Sequence, residues 1–124
     1  MLKLGMIVMG AADMDRAERF WTEALGYRLG VTQDGGDWRE LVPADGDDAV
    51  IGLQRSDATP RHDPRLHIDL HVASDDEQAT EVERLVGLGA ERVDWDHYPA
   101  DPDFVVLADP EGNIFCVVNP AHGA

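Results

Sequence analysis

Hydrophobic residues recur at helical spacing in two stretches of the chain. In the first stretch, apolar residues follow one another at intervals of three and four positions, namely Met14, Ala17, Phe20, Trp21, Ala24 and Leu25. In the second stretch, the same spacing links Ala79, Val82, Leu85, Val86 and Leu88. A single apolar stripe is typical of a helix that packs one face on a core. We therefore predict two amphipathic helices.

Residues typical of helix ends border both stretches. Asp13 precedes the first stretch as an N-cap candidate, and Gly26 follows it. Before the second stretch, Ser74 and Glu77 have the spacing of a capping box, in which each side chain accepts a hydrogen bond from a backbone N–H. Gly89 follows that stretch. These signals predict where each helix begins and ends.

One strand-like run precedes each predicted helix, and three more follow it. In the first half the runs cover residues 2–9, 27–32, 38–42 and 49–54, separated by turns rich in Gly, Asp and Pro. In the second half they cover residues 66–72, 91–95, 104–107 and 114–118. The order strand, helix, three strands therefore occurs twice.

The two halves keep a nearly constant offset of 62 to 64 residues. The matching pairs are Asp13 with Asp75, Gly26 with Gly89, and Gly52 with Cys116. This offset indicates an internal duplication. We predict one domain over residues 1–124, with halves at about 1–55 and 66–120 and a linker at 56–65. Its class is α+β, with two βαβββ units that form a curved mixed sheet around a cleft.

Acidic residues outnumber basic ones by a wide margin. The 124 residues include 25 Asp and Glu against 10 Lys and Arg, a formal net charge of −15 at pH 7. Nucleic-acid binding needs clustered cations that neutralise phosphates, whereas the few cations here are scattered among carboxylates. The charge disfavours nucleic acid and anionic membranes as partners. It fits either solubility alone or the attraction of a cationic ligand or metal ion.

The chain contains one cysteine, Cys116, and no stretch of about 20 apolar residues of the kind that spans a membrane. One thiol cannot form an internal disulfide, and no zinc-like Cys and His spacing occurs. The apolar run at residues 4–12 contains Gly5 and Gly10 and leads into an amphipathic helix, which argues against a cleavable leader. We therefore expect a cytoplasmic protein.

Three segments, in their order and spacing, resemble one known family. They are the Asp-x-x-x-Ala-x-x-Phe-Trp-x-x-x-Leu-Gly stretch ending at Gly26, the His-x-Asp-x-His run from His67 to His71, and the Asp-Pro-Glu-Gly-Asn turn before Ile114. With the duplicated βαβββ pattern, they are similar to the glyoxalase/bleomycin-resistance proteins of the vicinal oxygen chelate superfamily. That superfamily includes metal-dependent isomerases, dioxygenases, thiol transferases and metal-free drug-binding proteins. The resemblance therefore implies a fold and not one reaction.

The resemblance also implies where a metal ion would be held. Metal enzymes of the family draw ligands from four strand positions, which fall here on Gly5 or Met6, Gly52, His67 and Cys116. Only His67 is a usual ligand of that site. Glycine has no donor, a thioether suits hard divalent ions poorly, and Cys116 stands where Glu is typical. We therefore expect no metal cofactor at the usual family site.

His67, Asp69 and His71 alternate with aliphatic residues, so on a strand the three share one face. Residues two apart on such a face stand about 7 Å apart, so two imidazoles converge on one ion only with favourable rotamers. Three interpretations stay open for this face. It is a hydrogen-bonded lining for an organic ligand, a solvated strand face, or a divalent metal site made of His67, Asp69 and His71.

Three more side chains are candidates for a ligand site. Cys116 lies between apolar neighbours and is either a small buried hydrophobe or, if it faces a cleft, a partner of His67. No positive charge lies beside Cys116 in the sequence to activate the thiol. Trp38 and Trp95 lie in predicted strands, where they form aromatic walls for a ligand or pack in the core.

The leading hypothesis is a metal-free protein that binds a small molecule, and the acidic surface favours a basic or polar one. Its candidate binding residues are His67, Asp69, His71, Trp38, Trp95 and Cys116. The alternative is a lyase, isomerase or dioxygenase in which a divalent ion held by His67 and its neighbours acts as a Lewis acid. The resemblance implies a homodimer, which would also cover an exposed edge strand. Whether the protein catalyses a reaction stays open at this point.

Overall fold

Two units with the same order of elements make up the chain, and the computed structural model describes all residues 1–124. The units comprise Met1–Thr59 and Pro60–Ala124, so the boundary falls inside the predicted linker. Each unit has one α-helix and one four-stranded mixed sheet. The α+β class and the two βαβββ units are therefore confirmed.

The first unit places its first and last strands side by side. Its elements are β1 (Met6–Ala11), α1 (Met14–Leu25), β2 (Tyr27–Gln33), a 3-10 turn (Asp34–Gly36), β3 (Trp38–Pro43) and β4 (Val50–Arg55). The strand order is β1-β4-β3-β2. β1 runs parallel to β4, and the other neighbours are antiparallel.

The second unit repeats this topology. Its elements are β5 (Ile68–His71), α2 (Asp75–Leu88), β6 (Glu91–Arg92), β7 (Phe104–Ala108) and β8 (Ile114–Val118). The strand order is β5-β8-β7-β6, with β5 parallel to β8 and the other pairs antiparallel. In each unit the crossover that carries the helix thus brings the first strand next to the last one.

The predicted start, end and apolar face of α1 are all confirmed. The Asp13 carboxylate accepts a hydrogen bond from the Arg16 N–H at 3.0 Å, which satisfies one of the free donors of the first turn. Gly26 ends the helix in the left-handed region at φ 69°. Phe20 and Trp21 are buried, with their rings edge to face at 5.0 Å.

A capping box also begins α2, with one difference from the prediction. The Ser74 hydroxyl accepts a hydrogen bond from the Glu77 N–H at 3.0 Å, as predicted. The Glu77 carboxylate accepts from the N–H of Ala73 at 3.1 Å, one residue earlier than the predicted Ser74. Val82 and Leu85 are the buried residues of this helix. Neither α1 nor α2 has the length and apolar content that crossing a membrane requires.

The prediction that the first strand covers residues 2–9 is wrong. β1 begins at Met6, which pairs with Val50 at the start of β4. The chain before Met6 has no strand opposite it, and Leu2 and Leu4 remain 98% and 78% exposed. Apolar residues predict a strand, but a strand forms only where a neighbouring strand can share its backbone hydrogen bonds. The apolar pattern does not show whether that neighbour is present.

The second sheet also differs from its predicted bounds at two places. β5 begins at Ile68, so His67 stands just before the strand instead of inside it. β6 ends at Arg92 and not at residue 95. The Val93 N–H still donates to the carbonyl of Val106 at 3.2 Å, but the chain then leaves the sheet. Trp95 therefore belongs to the long loop before β7 and not to a strand.

The predicted turn before β8 is confirmed. Asp109 is buried, and its carboxylate accepts hydrogen bonds from the N–H groups of Glu111 and Asn113 at 2.9 and 2.8 Å. Gly112 has a φ of +87°, which a residue with a side chain rarely adopts. The turn aligns β7 and β8 as an antiparallel pair, with Leu107 opposite Phe115.

Candidate functional site

A pocket of about 450 Å³ lies within the second unit. Its lining includes alternate residues of two adjacent strands, Phe104 and Val106 from β7, and Ile114, Cys116 and Val118 from β8. Because side chains alternate between the two sides of a sheet, these residues share one face. We call this face the floor of the pocket. It is apolar apart from the Cys116 thiol.

The remaining lining residues are mostly polar and come from β5 and the loops. Asp63 and Pro64 belong to the segment before β5, while Trp95 and Asp103 belong to the loop before β7. His67 and Asp69 complete the lining. Three carboxylates thus face the pocket, and neither Lys nor Arg lines it. The charged groups of the lining are therefore predominantly negative.

Asp69 lies next to both the His67 imidazole and the Cys116 thiol. The Nε2 of His67 lies 3.1 Å from the Oδ1 of Asp69, and both side chains are 46% exposed. Asp69 is also the register partner of Cys116 on the parallel strand β8. The ligating atoms of His67, Asp69 and Cys116 all lie within 4.8 Å of one another. These three residues form the polar group of the pocket.

The thiol of Cys116 is held in its protonated form. Burial raises its pKa, the negative charge of Asp69 and a hydrogen bond with that carboxylate add to the effect, and the pKa reaches about 11. Cys116 is only 7% exposed. A thiolate is the reactive form of cysteine, so at neutral pH Cys116 acts as a weak donor and not as a nucleophile. Cys116 is therefore both a small buried side chain and a neighbour of His67, the two alternatives that the sequence left open for it.

The structure does not bring all the predicted site residues together. His71 ends β5 opposite Val118, is exposed, and does not line the pocket. Trp38 lies in β3 of the first unit, where its indole N–H donates to the Glu40 carboxylate at 2.9 Å. His67, Asp69, Trp95 and Cys116 are the four predicted residues that line the pocket.

The Trp95 ring contacts two histidines. Its ring centroid is 5.9 Å from that of His62 and 5.5 Å from that of His97, the latter in an edge-to-face arrangement. These contacts restrict the orientation of the indole beside the pocket. An aromatic side chain fixed in this way offers a ligand a ready apolar surface.

Sequence reasoning missed the loop residues of the pocket. Asp63 and Pro64 lie in the predicted linker, and Asp103 lies in a loop rich in Pro and Asp. Phe104 was predicted to lie in a strand, but not to contact a ligand. In a chain with 25 acidic residues, no local signal distinguishes these two aspartates from solvated ones. Only the folding of the loops onto the sheet places them there.

Two of the four family ligand positions lie in the first unit, and packing fills the space around one of them. A Cβ on Gly52 would lie 3.0 Å from the Cγ2 of Val8, 3.2 Å from the Sδ of Met6 and 3.5 Å from the Trp38 ring. Gly5 precedes β1, whereas Met6 is its first residue, so Met6 is the strand residue at the other position. The two positions offer a thioether and no oxygen or nitrogen donor. They do not fit a hard divalent ion.

A family model for the glyoxalase-like domain matches residues 6–118. The chain therefore belongs to the glyoxalase-like domain family, within the vicinal oxygen chelate superfamily. No curated protein is significantly similar in sequence.

Solved structures share the fold over nearly the full chain. A glyoxalase/bleomycin resistance protein/dioxygenase family enzyme from Burkholderia phytofirmans PsJN is 17% identical, with a TM-score of 0.74 over 95% of this chain and 98% of that one. A fosfomycin resistance protein from Mesorhizobium loti is 15% identical, with a TM-score of 0.70 over 95% and 91%. An antibiotic-binding protein from Streptomyces sp. CB03234 is 22% identical, with a TM-score of 0.66 over 98% of both chains. At these identities the likeness establishes the fold.

Proposed function

We propose that the protein binds a small organic cation in the pocket of the second unit, without a metal ion at the family's ligand positions. The observation that carries the proposal is the lining of the pocket. Asp63, Asp69 and Asp103 supply negative charge, no Lys or Arg is among the lining residues, and the floor is apolar. A protonated amine or amidine is attracted by the carboxylates, while its hydrocarbon part is removed from water on the floor and beside Trp95.

Asp69 is the carboxylate best placed to orient such a ligand. Its side chain is partly exposed, so a cation can reach it, and its contact with His67 limits its rotamers. A carboxylate held in one orientation loses less conformational entropy when it binds a donor. Asp69 therefore orients the charged group of the ligand, and the apolar floor contributes most of the affinity.

The names of two structural neighbours are compatible with this proposal. One is called an antibiotic-binding protein, and another a fosfomycin resistance protein. A small-molecule binder on the same fold needs a pocket of drug-like size, and about 450 Å³ lies within the usual range of about 300–1,000 Å³.

The chemistry of the donors supports binding without a metal. Met6 and Gly52 supply no hard donor in the first unit. In the second unit, Cys116 would first have to lose a proton from a thiol whose pKa is raised to about 11. His67 is then the one usual ligand that remains among the four family positions.

A second candidate function rests on one specific observation, the clustering of His67, Asp69 and Cys116 within 4.8 Å. Three donors with an open position suffice for a metal-dependent lyase, isomerase or dioxygenase. Elemental analysis of protein purified without an affinity tag separates the two candidates. Stoichiometric first-row metal would favour the enzyme, whereas its absence would favour the metal-free binder.

Paired probes test the charge of the ligand. Benzamidine and benzamide have nearly the same shape, but only benzamidine carries a positive charge. We expect benzamidine to quench or shift the Trp95 fluorescence at lower concentration than benzamide, with Trp95→Phe as the control for signals from the other two tryptophans. Equal affinity for the two probes would contradict the proposal.

Variants of the pocket carboxylates test the location of the site. We expect Asp69→Asn and Asp103→Asn each to weaken benzamidine binding by about fivefold, as for partly exposed charge pairs. Asp96→Asn is the matched control, because Asp96 is an exposed carboxylate of the same loop as Asp103 that does not line the pocket. An equal loss in all three variants would reflect net charge alone and would argue against this pocket.

We also propose that the protein forms a homodimer. β1 and β2 are the edge strands of the first sheet, and both carry a partly exposed aliphatic side chain, Val8 and Leu29. Unpaired strand edges favour association with another chain. Light scattering coupled to size-exclusion chromatography tests the assembly, and a monomer at micromolar concentration would contradict it.

A further inference from the structure

His122 is held between two carboxylates in the second unit. Its Nδ1 lies 2.9 and 3.1 Å from the two oxygens of Asp75, and its Nε2 lies 2.8 Å from Oδ1 of Asp101. Asp75 is the first residue of α2, and Asp101 lies in the loop before β7. Both ring nitrogens can donate at once only in the protonated imidazole. We call this arrangement the His122 bridge.

The backbone beside the His122 bridge is tied to the same elements. The N–H of Asn119 and the side-chain amide of Gln78 both donate to the carbonyl of Asp103, at 2.8 and 2.9 Å. The buried Asn119 side chain also donates to Asp75 at 2.7 Å. The turn after β8, the start of α2 and the loop before β7 therefore meet at one place.

This meeting point adjoins the ligand pocket. Asp101 is two residues from Asp103, whose carboxylate lines the pocket, and three residues from Phe104, which belongs to the floor. Within the same loop, the Tyr98 ring stacks on Phe104 at a centroid distance of 5.2 Å. The Tyr98 hydroxyl accepts a hydrogen bond from the Val106 N–H at 2.6 Å. The loop is thus held at its middle by Tyr98 and near β7 by the His122 bridge.

The His122 bridge is charged at neutral pH. Hydrogen bonds to Asp101 and then to Asp75 raise the pKa of His122 to about 9, and contacts with Asn119 and His122 lower the pKa of Asp75. The charged groups that contact the ring are Asp75 from α2 and Asp101 from the loop. Since the pKa of His122 is raised on folding, the stabilisation is complete below its ordinary value of 6.5 and is lost as the pH rises through 9.

We propose that His122 is a positioning residue for the ligand pocket, because it bridges Asp75 and Asp101 and so fixes the loop that carries Asp103. His122 does not itself line the pocket. Without the bridge, the loop keeps the hydrogen bonds of Asn119 and Gln78 to the Asp103 carbonyl but loses its contact at Asp101, so the Asp103 side chain is less restricted in its orientation toward a ligand. The effect on ligand binding rests on the proposed function, whereas the effect on the loop does not.

Hydrogen exchange of the intact protein tests the loop directly. In His122→Gln, we expect the amides of Asn119 and Val106, which donate to Asp103 and Tyr98 of this loop, to lose about threefold or more of their protection at pH 7, while α1 is unchanged. In His122→Arg the guanidinium keeps its charge, so we expect protection to persist at pH 9.5, where the parent loses it. Asp96→Asn controls for the loss of one loop charge, and Asp101→Asn replaces His122→Gln if that variant does not fold. Equal protection in His122→Gln and the parent would overturn the proposal.

Benzamidine binding tests the consequence for the pocket. We expect affinity to fall by about threefold in His122→Gln and to be retained in His122→Arg. A looser loop with unchanged affinity would overturn the positioning role. If benzamidine binds neither the parent nor the variants while the loop still loses protection in His122→Gln, the proposed function fails and the holding of the loop by His122 stands.

Discussion

Asp69 and Cys116 lie opposite each other on the parallel strands β5 and β8, and the carboxylate opposes ionisation of the thiol. The same carboxylate lies 3.1 Å from the His67 imidazole. A carboxylate next to the sulfur disfavours the thiolate, which is the nucleophilic form of cysteine. Cys116, the only cysteine of the chain, therefore lines the pocket beside a carboxylate that favours the protonated thiol.

Removal of the Asp69 charge should make the thiol easier to ionise. Burial is the largest cause of the raised pKa, and the charge and hydrogen bond of Asp69 follow. In Asp69→Asn we therefore expect the pKa of Cys116 to fall below about 11 but to stay above its ordinary value. The rate of alkylation by iodoacetamide as a function of pH reports this pKa.

A second carboxylate of the pocket supplies the control for this titration. Asp103→Asn removes the same charge from the pocket lining, but Asp103 is not among the causes of the Cys116 shift. Its alkylation profile should match that of the parent. A profile that shifts equally in both variants would mean that the general field of the protein, and not the Asp69 contact, raises the pKa.

Salt should weaken the binding of a cation to this acidic chain. The net charge of −15 and the three pocket carboxylates both attract a positive ligand, and ionic screening acts over about 8 Å at physiological ionic strength. We expect the affinity for benzamidine to fall as sodium chloride is raised, while the affinity for benzamide stays constant. Calorimetric titrations at a series of salt concentrations measure both. Benzamidine binding that is independent of salt would leave solubility as the reason for the acidity.

Local signals in the sequence were sufficient for the helices and for the repeat. Asp13 and Ser74 cap the two helices because their side chains bond to backbone donors three residues ahead, which is a property of the local sequence. The order of elements along each unit followed from the duplicated pattern. The strand ends did not follow, because the extent of β1 and β6 depends on the presence of a partner strand.

Alternation along the sequence predicted the part of the site that lies on or beside regular strands. Alternation placed His67 and Asp69 on one side, and both line the pocket. The same rule grouped His71 with them, although this residue does not line the pocket. Asp63 and Asp103 reach the pocket from loops, whose path depends on tertiary contacts such as those of Tyr98 and Asn119. No periodicity describes such contacts.

A methyl group at position 52 should destabilise the first unit. In Gly52→Ala, the new Cβ would approach Val8 to 3.0 Å and Met6 to 3.2 Å in a buried position. The φ angle there is not in the left-handed region, so crowding alone sets the cost, which we expect to be about 1–2 kcal/mol of unfolding free energy. Urea denaturation measures it. Adding Val8→Ala should recover part of the loss, because it removes the closest atoms.

Gly87→Ala is the matched substitution, for which we expect a change in unfolding free energy of the opposite sign. It lies in α2, and a Cβ there would meet no atom within 4 Å. Gly87→Ala should therefore stabilise the protein by about 0.5 kcal/mol, through the lower entropy of the unfolded chain. If both Gly52→Ala and Gly87→Ala stabilise the protein, Val8 and Met6 do not crowd a side chain at position 52.

Divalent metal ions should have little effect on thermal stability, which distinguishes the two candidate functions. A ligand that binds only the folded state stabilises it by about 2.7 kcal/mol when present at a hundredfold excess over its Kd. In a domain of this size that corresponds to a rise of several degrees in Tm. Since Met6 and Gly52 offer no hard donor and the Cys116 thiol is protonated, we expect a much smaller rise with micromolar Mn, Fe, Ni or Zn.

Substitution of His67 identifies the source of any shift in Tm that does occur. His67 is the usual metal ligand among the family positions, so metal bound in the pocket depends on its imidazole, whereas metal bound to scattered surface carboxylates does not. We expect the small shifts in the parent and in His67→Ala to be equal. A clear rise with zinc that disappears in His67→Ala and weakens in Asp69→Ala and Cys116→Ser would instead establish a metal centre in the polar group of the pocket. A rise lost in His71→Ala as well would extend that centre to the end of β5.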